Sequence, residues 1–255
     1  MRGEIMKIVY IVPGTMQKKE AKRREGLLKE WAFPTTEVEI RTVSQGPASI
    51  ESMYEEYLSI PETAKLMVEA EQDGVDGAIL GCAGDPGLDA YRELTENMVV
   101  VGPGMAGMHV AALRGSRFSV LTVTDSTVNS VYELADKSGL RGKMVSVEAV
   151  NIPVLDLAKD RQSTLEKMIV FGKKAMDKGA DSLVLGCMSM GFLEVAEDME
   201  KELGIPVINP SKAALKLTES LAYIGYTHSK KAYHTPPKLA EGKVDSLDKL
   251  FVTTN

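Results

Sequence analysis

The sequence predicts an α/β protein made of two similar halves, each with a parallel sheet, related by a pseudo-twofold axis. Three observations lead to this prediction. Short apolar runs alternate with longer segments of helical periodicity, the strand-like runs recur at a nearly constant offset, and both cysteines follow the same kind of apolar run. Strands that alternate with helices are typical of parallel sheets, because a crossover between parallel strands needs a long connection.

The predicted strands are short runs rich in Val, Ile and Leu. They cover residues 7–12, 38–43, 78–80, 99–101, 118–123, 145–150, 183–185 and 206–208. Most of them do not alternate with polar residues, which predicts strands buried on both faces. The segments between them, such as "LEKMIVFGKKAMDKG", have helical spacing and end at a glycine.

A repeat relates the two halves: "DGVDGAILGC" (73–82) aligns with "KGADSLVLGC" (178–187). The identical pairs are Gly74 with Gly179, Asp76 with Asp181, Leu80 with Leu185, Gly81 with Gly186 and Cys82 with Cys187. We therefore predict a first lobe of residues 1–115 with a C-terminal return of residues 210–255, and a second lobe of residues 116–209. Ligands bind beyond the carboxyl ends of such strands, which places the active site in the cleft between the lobes.

Composition narrows the classes of function. The chain has 255 residues and a net charge of -6. This composition does not indicate the basic surface that binding to nucleic acid requires. A small acidic substrate would need local positive groups to offset this charge. No apolar run is long enough to span a membrane. Two cysteines in a chain of this length indicate a reduced, cytoplasmic protein, and the three histidines lack the spacing of metal ligands.

A nucleotide cofactor is indicated only by "VVVGPGMAG", in which Gly102, Gly104 and Gly107 match a dinucleotide-binding pattern. The match follows the fourth predicted strand and not the first, and Pro103 lacks an N–H that a phosphate could use. We interpret the segment as a tight turn from strand to helix and expect no cofactor.

The two cysteines carry the chemistry that we expect. Each follows a strand and precedes a predicted helix, whose N-terminal N–H groups lower the pKa of a thiol. The same N–H groups can hold an enolate oxygen; they belong to Ala83, Gly84, Met188 and Ser189. Two thiols on opposite faces of one carbon can invert it: one thiolate removes the proton alpha to a carbonyl, and the other thiol returns a proton from the far side.

Two other interpretations stay open at this point. A free cysteine at a strand end often fills space in a core. A disulfide would require the two Cα atoms to lie within about 7 Å of each other. The equivalent positions of Cys82 and Cys187 in the repeat favour the functional interpretation.

The chain resembles the aspartate/glutamate racemase superfamily and, within it, the hydantoin racemase branch. The resemblance rests on "GPASIES" (46–52), "GVDGAILGCAGDPGLDAYRE" (74–93), "FSVLTVTD" (118–125) and "GADSLVLGCMSMG" (179–191). It implies two Rossmann-like halves, a site in the cleft, no cofactor and a paired acid and base at Cys82 and Cys187. A homo-oligomer is the default expectation for such an enzyme.

The resemblance also implies contacts with a small-molecule substrate, which would be a 5-substituted hydantoin, allantoin or a related amino-acid derivative. The implied substrate-binding residues are Gly14, Thr15, Ala83, Gly84, Thr122, Thr124, Met188 and Ser189. Two loops depart from the family pattern: "VPGTM" lacks the expected asparagines, and Met188 and Ser189 stand where an alanine and a glycine are frequent. The alternatives are an aspartate/glutamate-type racemase and a non-catalytic maturation or ligand-binding protein on the same scaffold.

Overall fold

Two four-stranded parallel sheets form the scaffold in a computed structural model, which describes residues 5–243 and 246–247. The strands are β1 (Met6–Val12), β2 (Thr36–Thr42), β3 (Gly77–Leu80), β4 (Val99–Val101), β5 (Phe118–Thr122), β6 (Met144–Ala149), β7 (Ser182–Leu185) and β8 (Val207–Ile208). The helices are α1 (Lys18–Trp31), α2 (Met53–Gln72), α3 (Leu88–Leu94), α4 (Pro103–Arg114), α5 (Val128–Lys137), α6 (Arg161–Asp177), α7 (Met188–Gly191), α8 (Ala196–Leu203), α9 (Pro210–Tyr223) and α10 (Pro237–Ala240).

The two sheets have the same topology, β2-β1-β3-β4 and β6-β5-β7-β8, so every strand of one half has a counterpart in the other. The register is also equivalent: Ile8 pairs with Gly77 in the first sheet, and Phe118 pairs with Ser182 in the second. The predicted α/β fold is confirmed, with small shifts at the ends of the strands. Within the described residues, no helix combines the length and apolar character that crossing a bilayer requires.

The aspartates of the repeat lock the central strands together at their starts. A carboxylate oxygen of Asp76 accepts a hydrogen bond from the N–H of Lys7 at 2.8 Å, and Asp181 does the same for Arg117 at 2.9 Å. In return, the N–H groups of Asp76 and Asp181 donate to the carbonyls of Lys7 and Arg117, both at 2.9 Å. The aspartates therefore hold the same position in both halves for a structural reason.

The glycines that precede the cysteines have an equally strict structural role. The N–H of Gly81 donates to the carbonyl of Ile11, and that of Gly186 donates to the carbonyl of Leu121, both at 2.7 Å. A Cβ atom would lie 2.6 Å from the Ile11 oxygen at Gly81, and 2.9 Å from the Leu121 oxygen at Gly186. Only glycine allows this close approach of two backbones, which fixes each cysteine just past the end of a central strand.

The halves exchange helices where they meet. Helix α4 follows the first sheet in the chain, but Met108 and Ala111 on it pack against β5, β7 and β8 of the second sheet. Helix α9 follows the second sheet and packs against the first, through Ala214 and Leu215. This exchange buries apolar surface of both halves in shared clusters. The lobe boundaries stay a prediction.

The tail after α9 returns along the edge of the first sheet. The N–H of Val100 in the edge strand β4 donates to Nε2 of His228 at 2.7 Å. The Lys230 ammonium donates to the carbonyls of Arg92 and Glu93 at 3.1 and 2.9 Å. Residues 1–4, 244–245 and 248–255 of the predicted first lobe lie outside the described residues.

Candidate active site

A cavity of about 690 Å³ lies where the carboxyl ends of the two sheets meet. Its walls come from both halves: the segments after β1, β2, β3, β5, β6 and β7, together with side chains of α1, α2 and α5. The residues that line it include Cys82 and Cys187, each just beyond the last residue of its strand. Both thiols are free, so the disulfide interpretation does not describe this structure.

Most of the residues singled out from the sequence also lie on this wall. Besides the cysteines, they are Gly14, Thr15, Ala83, Gly84, Thr122, Met188 and Ser189. Thr124 is not among the lining residues, so its prediction as a wall residue is wrong; its hydroxyl lies 2.9 Å from that of Ser126 in the turn after β5. Thr127 lines the cavity there instead, and its hydroxyl contacts that of Thr122 at 2.6 Å.

Sequence reasoning missed the charged residues of the wall: Glu20, Arg24 and Glu56. The segment "KKEAKRREGLLKEW" that forms α1 is so rich in charge that it resembles a helix facing solvent. Arg24 is nevertheless only 8% exposed. The one signal in the sequence was position, since α1 directly follows the loop after the first strand.

Cys82 is followed by a turn, so the prediction that it lies near the N-terminus of the next helix is wrong. Asp85 has a φ of 53°, and α3 begins only at Leu88. Burial raises the pKa of the Cys82 thiol well above its usual value. The N–H of Gly84 opposes this rise, whereas the negative charges of Glu56 and Asp85 add to it. This half of the site therefore favours a protonated thiol.

Cys187 occupies the N-cap position of α7, where a helix does follow the cysteine as predicted. Burial raises the pKa of this thiol too, so the predicted net lowering is wrong for both cysteines, because desolvation outweighs the helix donors. Here, however, more groups oppose the rise: the N–H groups of Met190 and Ser189, the charge of Arg24 and the Ser189 hydroxyl. This half of the site is the better one for a thiolate.

Arg24 is held in place by three contacts. Its Nη2 donates to the Ser189 hydroxyl at 3.0 Å, and its Nε donates to a carboxylate oxygen of Glu20 at 2.7 Å. Its guanidinium carbon lies 4.8 Å from the centre of the Phe192 ring, which stacks in turn on Trp31. The guanidinium is therefore oriented before any substrate binds.

Glu56 lies on the other side of the cavity, close to the Cys82 turn. A Cβ atom added to Gly84 would lie 2.7 Å from a carboxylate oxygen of Glu56, so this carboxylate lies directly against the Cys82 turn. Burial, with a smaller contribution from Glu133, raises the pKa of Glu56 to about 7. Its charge therefore changes close to neutral pH.

The segment with Gly102, Gly104 and Gly107 leads directly from β4 into α4, with Gly102 at the N-cap, as the sequence indicated. The N-terminus of α4 is filled by the protein itself: the Asp85 carboxylate accepts from the N–H groups of Gly104 at 2.9 Å and Met105 at 2.8 Å. A nucleotide phosphate would need these same donors. Among the described residues, no three His, Cys, Asp or Glu side chains cluster as metal ligands would.

Fold and cavity together define a class of protein. It has two α/β halves that exchange a helix with each other, and each half contributes one free cysteine to the cavity between them. The profile of the family described as Asp/Glu/Hydantoin racemase matches residues 22–218. The chain is 36% identical over 235 residues to the hydantoin racemase of Pseudomonas sp. (strain NS671), across 91% of this chain and 93% of that one.

Solved structures give the same result. Allantoin racemase from Klebsiella pneumoniae superposes with a TM-score of 0.83 at 29% identity, covering 91% of this chain and 94% of its own. Allantoin racemase from Pseudomonas fluorescens superposes with a TM-score of 0.84 at 27% identity, covering 91% and 97%. The chain belongs to the Asp/Glu/Hydantoin racemase family, as the sequence motifs implied, and it is an isomerase of the racemase type.

Proposed function

We propose that this racemase needs no cofactor and inverts a carbon alpha to a carbonyl, with Cys82 and Cys187 as its two bases. One observation carries the proposal: two free thiols, at equivalent strand ends of the two halves, line the same cavity. A substrate carbon bound between them would have one sulfur on each face. The cavity wall thus supplies the acid and the base that inversion requires.

The reaction moves one proton off the substrate and another onto it. The thiolate takes the alpha proton, and the electron pair of the C–H bond passes into an enolate whose oxygen carries the charge. The opposite thiol then gives its proton to the other face of the carbon, which forms the new C–H bond and the inverted centre. The first sulfur ends as a thiol and the second as a thiolate, so the enzyme is ready for the reverse direction.

The enolate needs hydrogen-bond donors that are already oriented, because they stabilise charge without reorganising during the reaction. The Ser189 hydroxyl and the Arg24 guanidinium provide such donors beside Cys187. The Thr127 hydroxyl donates to the carbonyl of Thr124 at 2.8 Å, so it is not a donor for the enolate. In this proposal Gly14, Thr15, Thr122 and the residues after each cysteine form the walls around the substrate.

The substrate class that we propose is the cyclic ureides, namely 5-substituted hydantoins and allantoin. Their C5 lies next to a ring carbonyl, so removal of its proton gives an enolate. Much of the cavity wall is apolar, which suits an uncharged ring; the residues are Val12, Met16, Val123, Val131, Leu155 and Met188. The cavity volume of about 690 Å³ leaves room for a substituent at C5. The relatives reported above are named after these two kinds of compound.

The proposal can be tested by isotope exchange. Single enantiomers of several hydantoins, of allantoin, and of aspartate and glutamate are incubated with the enzyme in heavy water at neutral pH. NMR follows loss of the alpha proton, and chiral chromatography follows racemisation. We expect the wild type to exchange and racemise the cyclic ureides, and the Cys82→Ser/Cys187→Ser double variant to do neither.

The single variants test the roles of the two thiols. Cys82→Ser and Cys187→Ser should each lower racemisation by about a thousandfold or more, while each exchanges the proton of one enantiomer only. Circular dichroism checks that both variants fold. A single variant that racemises at the wild-type rate would overturn the two-cysteine mechanism. Exchange of aspartate or glutamate without exchange of any ureide would move the substrate class to free amino acids.

A further inference from the structure

Arg24 is the only positively charged side chain that lines the cavity in the described part of the chain. Arg24 is only 8% exposed, yet it lies on the wall close to Cys187. Its stacking on Phe192 and its bond to Ser189 fix the plane of the guanidinium. A fixed guanidinium loses little freedom when it binds a planar anion.

Arg24 is only partly neutralised by the acidic residue beside it. The Glu20 carboxylate contacts Arg24 at 2.7 Å but is shared with Arg23, which contacts it at 2.7 and 2.8 Å. The hydrogen bond from Arg23 is the main cause that lowers the pKa of Glu20 to about 2, so Glu20 is ionised at neutral pH. The Glu194 carboxylate also acts on Arg23, but neither of these two residues lines the cavity. On the wall itself, Arg24 therefore shares its one carboxylate with a second arginine.

On the opposite side of the cavity, no cation among the described residues lines the wall. Glu56 faces the Cys82 turn there, and with a pKa of about 7 it is only partly ionised at neutral pH. The N-terminal turn of α1, which carries Gln17 and Glu20 on the cavity wall, adds positive potential on the Arg24 side. An anionic group would therefore be drawn toward Arg24.

We propose that Arg24 forms a subsite for an anionic group on the substrate, so that the preferred substrates are hydantoins whose C5 substituent ends in a carboxylate. This inference rests on the proposed racemase function. The protein carries a net charge of -6, and an acidic substrate therefore needs a local positive group. Arg24 supplies that group beside the reacting carbon.

The test uses two substrates of the same shape and different charge: 5-carboxymethylhydantoin and 5-carbamoylmethylhydantoin. For the wild type we expect kcat/KM to be about tenfold to a hundredfold higher for the carboxylate, mainly through KM, since hydrogen bonds to charged groups are the stronger ones. Arg24→Gln should bring the ratio of the two kcat/KM values close to one, and Arg24→Lys should restore part of it. Losses common to both substrates cancel in this ratio.

Lys22→Gln is the matched control, because it removes one positive charge from an exposed position on α1. Its ratio should equal that of the wild type. If the wild type racemises both hydantoins equally well, or if Arg24→Gln leaves the ratio unchanged, the carboxylate subsite is refuted while the racemase function stands. If the wild type racemises neither hydantoin nor any other cyclic ureide, the proposed function itself fails.

Discussion

The two cysteine-bearing segments share one backbone frame but differ in the charges around the sulfur. Each starts with a glycine whose N–H donates at 2.7 Å to the neighbouring central strand, and each ends at the same cavity. Beyond the cysteine they diverge. Cys82 enters a turn beside Glu56 and Asp85, whereas Cys187 caps a helix beside Ser189 and Arg24.

This difference gives the two thiols different resting roles in the proposed mechanism. Negative neighbours favour the protonated form of Cys82, and positive or hydrogen-bond-donating neighbours favour the thiolate of Cys187. In this proposal the repeated frame keeps both sulfurs within reach of one substrate carbon, and the local side chains set which sulfur acts first as the base. A pair of groups with separated proton affinities is the usual arrangement for acid–base catalysis at one site.

The segments are also anchored differently to the helices that the halves exchange. The Asp85 carboxylate, from the turn after Cys82, caps the N-terminus of α4. In the other half, Asn209 caps its own helix α9 and donates through its amide to the carbonyl of Gly191, at the end of α7, at 2.9 Å. Both contacts hold a cysteine-bearing segment against a helix N-terminus. In the first half the polar side chain belongs to the cysteine segment, and in the second half it belongs to the helix.

The largest expected effect comes from the glycines that the two segments share. At Gly81 a Cβ would lie 2.6 Å from the carbonyl oxygen of Ile11 and 2.9 Å from the ring of Tyr10. At Gly186 it would lie 2.7 Å from a Val120 methyl and 2.9 Å from the Leu121 oxygen. Gly81→Ala should lower the free energy of unfolding by about 3 kcal/mol and Gly186→Ala by about 2 kcal/mol, because a side chain yields more easily than backbone.

Both substitutions should also lower kcat by about a hundredfold, since each displaces the cysteine that follows. Urea unfolding and racemisation rates measure the two effects. Gly142→Ala is the control, because its Cβ would meet no atom within 4 Å. Full activity in Gly81→Ala would show that the position of Cys82 does not depend on this glycine.

A smaller effect is expected in the reactivity of the two thiols. At pH 8 iodoacetamide should modify Cys187 about tenfold faster than Cys82, because the thiolate is the nucleophile. The charge of Arg24 lowers the pKa of Cys187, whereas the charges of Glu56 and Asp85 raise the pKa of Cys82. Peptide mass spectrometry after short exposures gives both rates in one sample. Since burial raises both pKa values, both rates should keep rising with pH above 8. Faster modification of Cys82 would contradict the assignment of resting roles.

Much of the fold could be predicted because the physics behind it is local. Buried parallel strands need uninterrupted apolar runs, and the repeated Asp76 and Asp181 have the same backbone partners in both halves. The exchange of α4 and α9 could not be predicted in this way. Which sheet a helix covers depends on contacts between distant segments, such as Met108 with the second sheet.

The residues of the candidate site also fall into those that the sequence could predict and those that it could not. Cys82, Cys187 and the residues beside them lie at strand ends, where topology alone brings them to one edge of the sheets. Arg24 and Glu56 lie within charged helices, and their inward orientation depends on how those helices pack. The direction in which the pKa of each thiol shifts could not be predicted either, because it follows from burial in a cavity that forms only when both halves pack together.

The smallest expected effect concerns Glu56, the acidic residue beside the Cys82 turn. Glu56→Gln removes a charge that raises the pKa of Cys82, so Cys82 should react with iodoacetamide about two- to fivefold faster in the variant at pH 8.5. At pH 6 the wild-type Glu56 is mostly protonated, because its pKa is about 7, and the two proteins should react alike. Glu133→Gln, an exposed change on α5, is the control and should have a smaller effect.

The same substitution makes a prediction for stability whose sign follows from the raised pKa of Glu56. The folded protein holds this proton up to about pH 7, whereas the unfolded chain releases it near the ordinary value of 4.5. Wild-type stability should therefore fall, relative to Glu56→Gln, as the pH rises between these two values. Urea unfolding at pH 5 and pH 8 measures the difference. A constant difference would mean that the carboxylate is as well solvated in the folded cavity as in the unfolded chain, and the acidic side of the site would then lose its influence on Cys82.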